Sequence, residues 1–387
     1  MPRIDALTGL RWWAAFFVFG YHMLVFAPLP TAATAFLSKG FFGVTFFFVL
    51  SGFVLTWSAS DRVSQSTFYW HRFARVYPSH FVALLLAIPV FYSLPPNPEQ
   101  SWIKPVSIGI LALSFVLIQG WFSDSAILFS GNPAAWTLTC EAFFYALHPY
   151  ISKVLNRLRL RGSLIFVLAT VMIAFGYRGA AVTWPGSIFA EVPLPIVRLM
   201  EFAIGMGLAW AFRCGWRPRV SVTLAIGALI GGLGAITSVP IFFPGSRIAV
   251  FLTQFSNELV TVACALTVVA LASRTLAGRR SFFASRVQVR LGEWSYTFYL
   301  IHATIVYTAL AWLGPQSASW LNLIWFLLLL ALAIALAAAL HYAVEKPVET
   351  RLRAWKDARS GAKSAAINPS VSQRRRTHPA GMHDVHK

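Results

Sequence analysis

Near the start of the chain, in the stretch GLRWWAAFFVFGYH, Arg11 and His22 stand eleven residues apart. On an α-helix this spacing leaves them about 20° apart around the axis and roughly 16 Å apart along it. Both therefore face one side, with a fixed positive charge at one level and an imidazole at another. An imidazole titrates near neutrality and suits general-base work on a hydroxyl. A guanidinium grips phosphate or carboxylate. Ionisable groups at membrane depth are expensive and usually functional.

Three further stretches carry chemistry. Arg72 and Arg75, in YWHRFARVYPSH, are spaced i, i+3 and share a helix face just before an apolar run, where two guanidiniums make a phosphate grip. Glu141, in AWTLTCEAFFYALHPY, is set among aromatics with no cation nearby in sequence, so it needs a partner from another helix, His22 or an arginine, or stays protonated. In LGEWSYTFYLIHATI, Ser295, Tyr299 and His302 recur at roughly helical turns and form a polar stripe. Gly43, Ser51 and Gly52 of GFFGVTFFFVLSGFVL read first as small residues for close helix packing, with Ser51 also expected to line a pocket. Cys140 lies beside Glu141, but a thiol buried in apolar surroundings is a poor nucleophile. Cys140, Cys214 and Cys264 are far apart and form no metal-binding or disulfide pattern, so no metal site is expected.

The elements that position these groups follow from composition. Of 387 residues, 57% are hydrophobic and 12% charged, with a mean hydropathy of +0.65. A soluble domain carries about 25% charged residues. The apolar runs are continuous and approach the ~20 residues of a spanning helix, whereas barrel strands show short alternating segments. The expected class is an all-α, polytopic transmembrane bundle. The net charge of +19 comes from arginines clustered in short loops, the pattern of cytoplasmic loops facing anionic lipid; no nucleic-acid-binding fold is visible.

Apolar runs fall near 11–28, 41–58, 78–94, 105–121, 136–151, 163–177, 194–212, 220–238, 249–272, 291–313 and 320–344. The first is read as an uncleaved span. Placing the basic segments around 3–11, 59–77, 153–161, 213–219, 273–290 and after 344 inside leaves three runs between 78 and 152, an odd number, so one does not cross. Run 136–151 is the expected exception, because it is short and holds Glu141, His148 and Pro149. The charge pattern thus predicts about ten spans plus one irregular or re-entrant segment, with both termini cytoplasmic. Residues 1–350 form the transmembrane domain and residues 351–387 a basic tail expected to be disordered.

In order, IDALTGLRWWAAFFVFGYH, GVTFFFVLSGFVL, RFAR, AWTLTCEAFFYALHP, LGEWSYTFYLIH and the Glu-Lys-Pro at 345–347 resemble the motifs of the integral-membrane acyltransferase family 3. The resemblance covers about residues 4–350. It departs at Thr45, where an acidic residue is common. No hydrolase-like domain follows the bundle, which argues against this chain alone handling an acceptor outside the membrane.

The resemblance implies a membrane O-acyltransferase of a bacterial cytoplasmic membrane. It would move an acyl group, acetyl by default, from an acyl-CoA co-substrate to a hydroxyl of a sugar-containing acceptor, with no permanently bound cofactor. The acceptor would be a polysaccharide or its lipid-linked precursor, a peptidoglycan sugar or a glycosylated small molecule. In that picture His22 is the catalytic histidine, oriented by Glu141; Arg11, Arg72 and Arg75 hold the donor; Ser51, Ser295, Tyr299 and His302 line the pocket. The rival is a secondary transporter or flippase, whose proton relays also use intramembrane His and Glu, although no internal repeat of the usual transporter kind is visible.

Overall fold

The computed structural model describes residues 1–60, 63–95 and 100–367, with side chains to 359. The chain is almost wholly helical: α1 (Asp5–Phe26), α2 (Thr31–Leu37), α3 (Gly43–Ser58), α4 (Gln65–Phe91), α5 (Ile108–Phe115), α6 (Ser125–Leu128), α7 (Trp136–Leu155), α8 (Leu160–Thr183), α9 (Leu194–Arg213), α10 (Val222–Phe242), α11 (Arg247–Gln254), α12 (Ser256–Leu276), α13 (Arg286–Leu313), α14 (Asn322–Leu340) and α15 (Lys346–Ile367). The strand content among the described residues is one two-residue parallel pair, Tyr92 with Lys104 and Ser93 with Pro105.

Among the described residues, eight helical segments are long and apolar enough to cross a bilayer. Helices α1 (22 residues) and α7 (20 residues) have spanning length but are less apolar, because they carry Arg11 and Glu141.

Three sequence expectations are corrected. The irregular segment is 105–121, not 136–151. Helix α7 runs unbroken through Pro149 for 20 residues, about the ~30 Å of a hydrocarbon core. Run 105–121 instead gives the eight residues of α5, about 12 Å of helix, and breaks at Leu117, whose φ of 59° no helix tolerates. Next, α4 starts at Gln65, where the Ser64 hydroxyl accepts from the Thr67 amide at 3.2 Å. The shared helix face expected of Arg72 and Arg75 is present, but their helix begins seven residues before Arg72, inside the segment 59–77 expected to be a loop, and is continuous with the span that follows. (Arg62 of that loop lies outside the described residues.) Last, the segment expected to be a disordered tail is helical to Ile367. Its first turns dock on α4: the Trp70 indole donates to the Leu352 carbonyl at 2.7 Å, and the Trp70 and Trp355 rings lie 5.1 Å apart, tilted by 36°. Residues 368–387 lie outside the described residues.

Two glycine-mediated contacts set the frame. Helix α3 meets α9 so closely that a Cβ on Gly52 would overlap the Phe202 carbonyl, and one on Gly205 the Val49 carbonyl. Helix α1 meets α13 in the same way, at Gly292 against the Thr8 carbonyl. These contacts bear out the small-residue reading of Gly52. Arg3 reaches Glu293 at 2.8 Å at one end of the α1–α13 pair, and His22 meets His302 near the other, so the two helices run parallel.

Candidate active site

Inside the bundle lies a cavity of about 210 Å³, bounded by α1, α3, α4, α7 and α13. Arg11, Arg72, Arg75 and Glu141 line it, so groups from three separate helices meet in one space. Ser51, Ser295 and Tyr299 line it as well, which places three of the four residues expected to face a pocket.

The guanidiniums differ in their partners. Arg75 is engaged: its Nη1 pairs with Glu345 and lies 3.0 Å from Glu349, and its head sits 5.9 Å from the Tyr296 ring centre. Arg72 rests against the rings of Phe68 and Tyr145 at 5.9 and 6.0 Å. Its Nε is buried without an acceptor. Arg11 likewise has no carboxylate or hydrogen-bond acceptor among the described residues, although it lines the cavity. An unsatisfied buried donor costs about 1–3 kcal/mol. With that buried Arg72 donor and the Arg11 guanidinium lining the same cavity, the site is prepared for an anion.

Glu141 accepts from the Tyr145 hydroxyl at 2.9 Å and lies within electrostatic reach of Arg11, Arg72 and Arg75. It is not hydrogen-bonded to His22, so the expected orienting contact is absent among the described residues. The entry to α7 explains its placement. Asn132 caps that turn by accepting from the Ala134 amide at 3.1 Å and donates to the Leu300 carbonyl at 2.6 Å. Helix α7 is thereby keyed to α13, with Glu141 facing the cavity.

His22 pairs instead with His302: Nδ1 of the first lies 3.2 Å from Nε2 of the second. The acceptors around them settle the tautomers. His302 Nδ1 lies 2.7 Å from the Tyr299 carbonyl, and His22 Nδ1 lies 3.1 Å from the Val18 carbonyl. Carbonyl oxygens only accept, so both Nδ1 atoms carry hydrogen in the neutral rings. His302 Nε2 is then the acceptor of the His22 Nδ1–H, and the lone pair of His22 Nε2 has no donor among the described residues. His302 therefore lies outside the cavity it was expected to line. Tyr299 stands between: its ring borders the cavity and lies 5.5 Å from that of His302, while its hydroxyl donates to the Ala134 carbonyl and accepts from Thr137, each at 3.2 Å.

Residues 4–342 match the family model described as an acyltransferase domain. The chain belongs to the acyltransferase family 3. This acyltransferase is 34% identical over 323 residues to the acyltransferase MdmB of Streptomyces mycarofaciens, covering 79% of each chain. It is 30% identical over 162 residues to the peptidoglycan O-acetyltransferase OatA of Listeria monocytogenes, covering 38% of this chain and 24% of that protein. It is 23% identical over 324 residues to the O-acetyltransferase OatA of Staphylococcus aureus, covering 79% of this chain and 51% of that one. The match spans about half or less of the length of these OatA relatives. No solved structure matches the chain. With its apolar helices, the protein is a multi-pass membrane acyltransferase.

Two polar groupings of the acyltransferase escaped the sequence reading. Glu345, 1% exposed, sits in a π-helical turn (His341–Glu345) that directs it at Arg75 and lets it accept from His341 at 3.1 Å. The extra residue of a π-turn re-aims side chains this way, and the Glu-Lys-Pro motif was its only trace in the sequence. The second grouping lies toward the opposite ends of the helices. Arg198 donates to Glu201 and to Asn257, both at 2.5 Å, and to Thr45 at 3.3 Å, while Thr45 donates to Asn257 at 3.0 Å. Here the departure at Thr45 has a physical account. Glu201 already balances Arg198, so a hydroxyl at 45 is enough to complete the network. Hydropathy hid both Arg198 and Glu201, since each lies within a run apolar enough to span.

Proposed function

We propose that the protein transfers an acyl group, acetyl by default, from acyl-CoA to a hydroxyl of a glycan, a lipid-linked sugar or a glycosylated small molecule. The observation carrying this reading is the cavity in which Arg11 and Arg72 face open space without an acidic partner. Phosphates of the donor take those guanidiniums, with Arg75 steadied beside them by Glu345 and Glu349. Glu141 balances the positive charge and orients Tyr145. The pantetheine arm reaches from Arg11 toward His22, roughly 16 Å along α1, and passes Tyr299.

His22 Nε2 then accepts the proton of the acceptor hydroxyl as its oxygen attacks the thioester carbonyl. The C–S bond breaks, and CoA leaves as a thiolate that takes the proton back from the imidazolium. His302 holds the tautomer that exposes Nε2. The eight apolar segments together with α1 and α7 make ten crossings, which, with the arginine-rich ends inside, leave both termini cytoplasmic in a bacterial inner membrane.

The test incubates purified protein with radiolabelled acetyl-CoA and a panel of hydroxyl acceptors. CoA release and labelled product are expected, both lost in His22→Ala. Full activity in that variant, or solute transport without CoA release, would overturn the reading.

A further inference from the structure

Helices α10 and α12 pack together at the side of the bundle and carry two adjoining cavities. One, of about 590 Å³, lies at the ends of these helices joined to the arginine-rich segments, and Arg217, Arg219, Arg274 and Arg279 line it. No carboxylate lines it, and none of the four has an acidic partner among the described residues. Arg217 is fixed through the Phe212 and Trp216 carbonyls at 2.6 and 2.7 Å, and Arg274 through the Arg280 carbonyl at 2.8 Å. Arg219 and Arg279 make no such bond among the described residues. The Ser273 hydroxyl, in the same wall, is buried without a partner among the described residues.

The second cavity, of about 420 Å³, is a crevice of nearly unbroken apolar character between α1, α10 and α12, walled by Trp13, Phe17, Leu229, Leu233, Cys264 and Phe283. Along α10 the basic cleft ends at Thr223 and the crevice begins at Ile226, one turn on. From Ile226 to Leu233 it runs about 10 Å, within one leaflet of the ~30 Å core.

We propose that these cavities together hold one anionic phospholipid of the cytoplasmic leaflet, its phosphate on Arg219 and Arg279 and one acyl chain in the crevice. The apolar crevice alone selects nothing, because lipid tails surround the whole bundle. Selection comes from the guanidiniums of the basic cleft, whose edge at Thr223 lies one turn from the crevice. A basic pocket between spanning helices on the cytoplasmic side suits an acidic head group. The site shares no lining residue with the donor cavity and stands independently of acyl transfer.

The test is native mass spectrometry of the full-length protein in detergent, titrated with phosphatidylglycerol, phosphatidylcholine of the same chains, and glycerol 3-phosphate. Phosphatidylglycerol is expected to bind at least about tenfold more tightly than phosphatidylcholine. Arg219→Gln with Arg279→Gln should weaken it by about fivefold per arginine; both side chains are exposed, so this variant keeps the bundle intact. Leu229→Trp, which fills the crevice, should weaken phosphatidylglycerol and leave glycerol 3-phosphate unchanged. Equal binding of the two lipids, or an unaffected double variant, overturns the proposal. Glycerol 3-phosphate binding as tightly as the lipid makes this a free-phosphate site and overturns it too. So does a Leu229→Trp variant that retains phosphatidylglycerol.

Discussion

His22 Nδ1 lies 3.2 Å from His302 Nε2, and His302 in turn is pinned to the Tyr299 carbonyl at 2.7 Å. This relay runs from the ring that borders the cavity to the ring with the free nitrogen, so the two histidines have unequal roles. His22→Ala should lower turnover by about 10²–10⁴-fold, the range of a lost general base. His302→Ala leaves His22 Nδ1–H on the Val18 carbonyl alone and should lower kcat by about tenfold, one hydrogen bond's worth, with KM for the donor unchanged. Steady-state kinetics on both variants checks this; a raised donor KM in His302→Ala would place that residue at the donor instead.

Arg11 and Arg72 face the cavity with no carboxylate partner among the described residues, so their loss should be felt in donor binding. Each single alanine variant is expected to weaken CoA binding by roughly 10–100-fold, the range of a charge-assisted hydrogen bond. Charge reversal at Arg72 should do so more strongly. Calorimetric titration with CoA measures it. Unchanged affinity in both variants reduces the pair to topology anchors.

Arg75 should behave differently from its neighbour one turn away. Removing it strands Glu345, 1% exposed, with His341 as its remaining partner. Breaking a buried pair on one side costs about 3–5 kcal/mol. Arg75→Ala should therefore lower the thermal midpoint in detergent far more than Arg72→Ala does. The double variant Arg75→Met, Glu345→Leu should recover most of the loss. A single variant as stable as the parent would show that the pair does not hold α4 to the last helices.

Gly205→Ala puts a methyl group onto the Val49 carbonyl across the α3–α9 contact. Overpacking of this kind costs about 1–3 kcal/mol. Gly231→Ala in α10, where nothing stands within 4 Å of an added Cβ, is the matched control and should be neutral or stabilising. The two midpoints, read side by side, test whether close approach rather than helix propensity places glycine at 205.

Much of this was legible in the chain. Hydropathy is a sum over residues, so the all-helical membrane class and most of the spans could be read directly. The face shared by Arg11 and His22 is a property of helical spacing alone. Seven of the nine singled-out residues, from Arg11 to Tyr299, line one cavity.

The pairings were decided only in three dimensions. His22 takes His302 rather than Glu141, Arg75 takes Glu345, and Arg198 takes Glu201 with Asn257. The irregular segment also moved from 136–151 to 105–121. Spacing along one helix fixes which residues share its face. The height and rotation of that face against a neighbour are set elsewhere, by contacts such as Gly292 on Thr8 and Gly205 on Val49. There backbones touch, and a single added carbon would change which side chains meet.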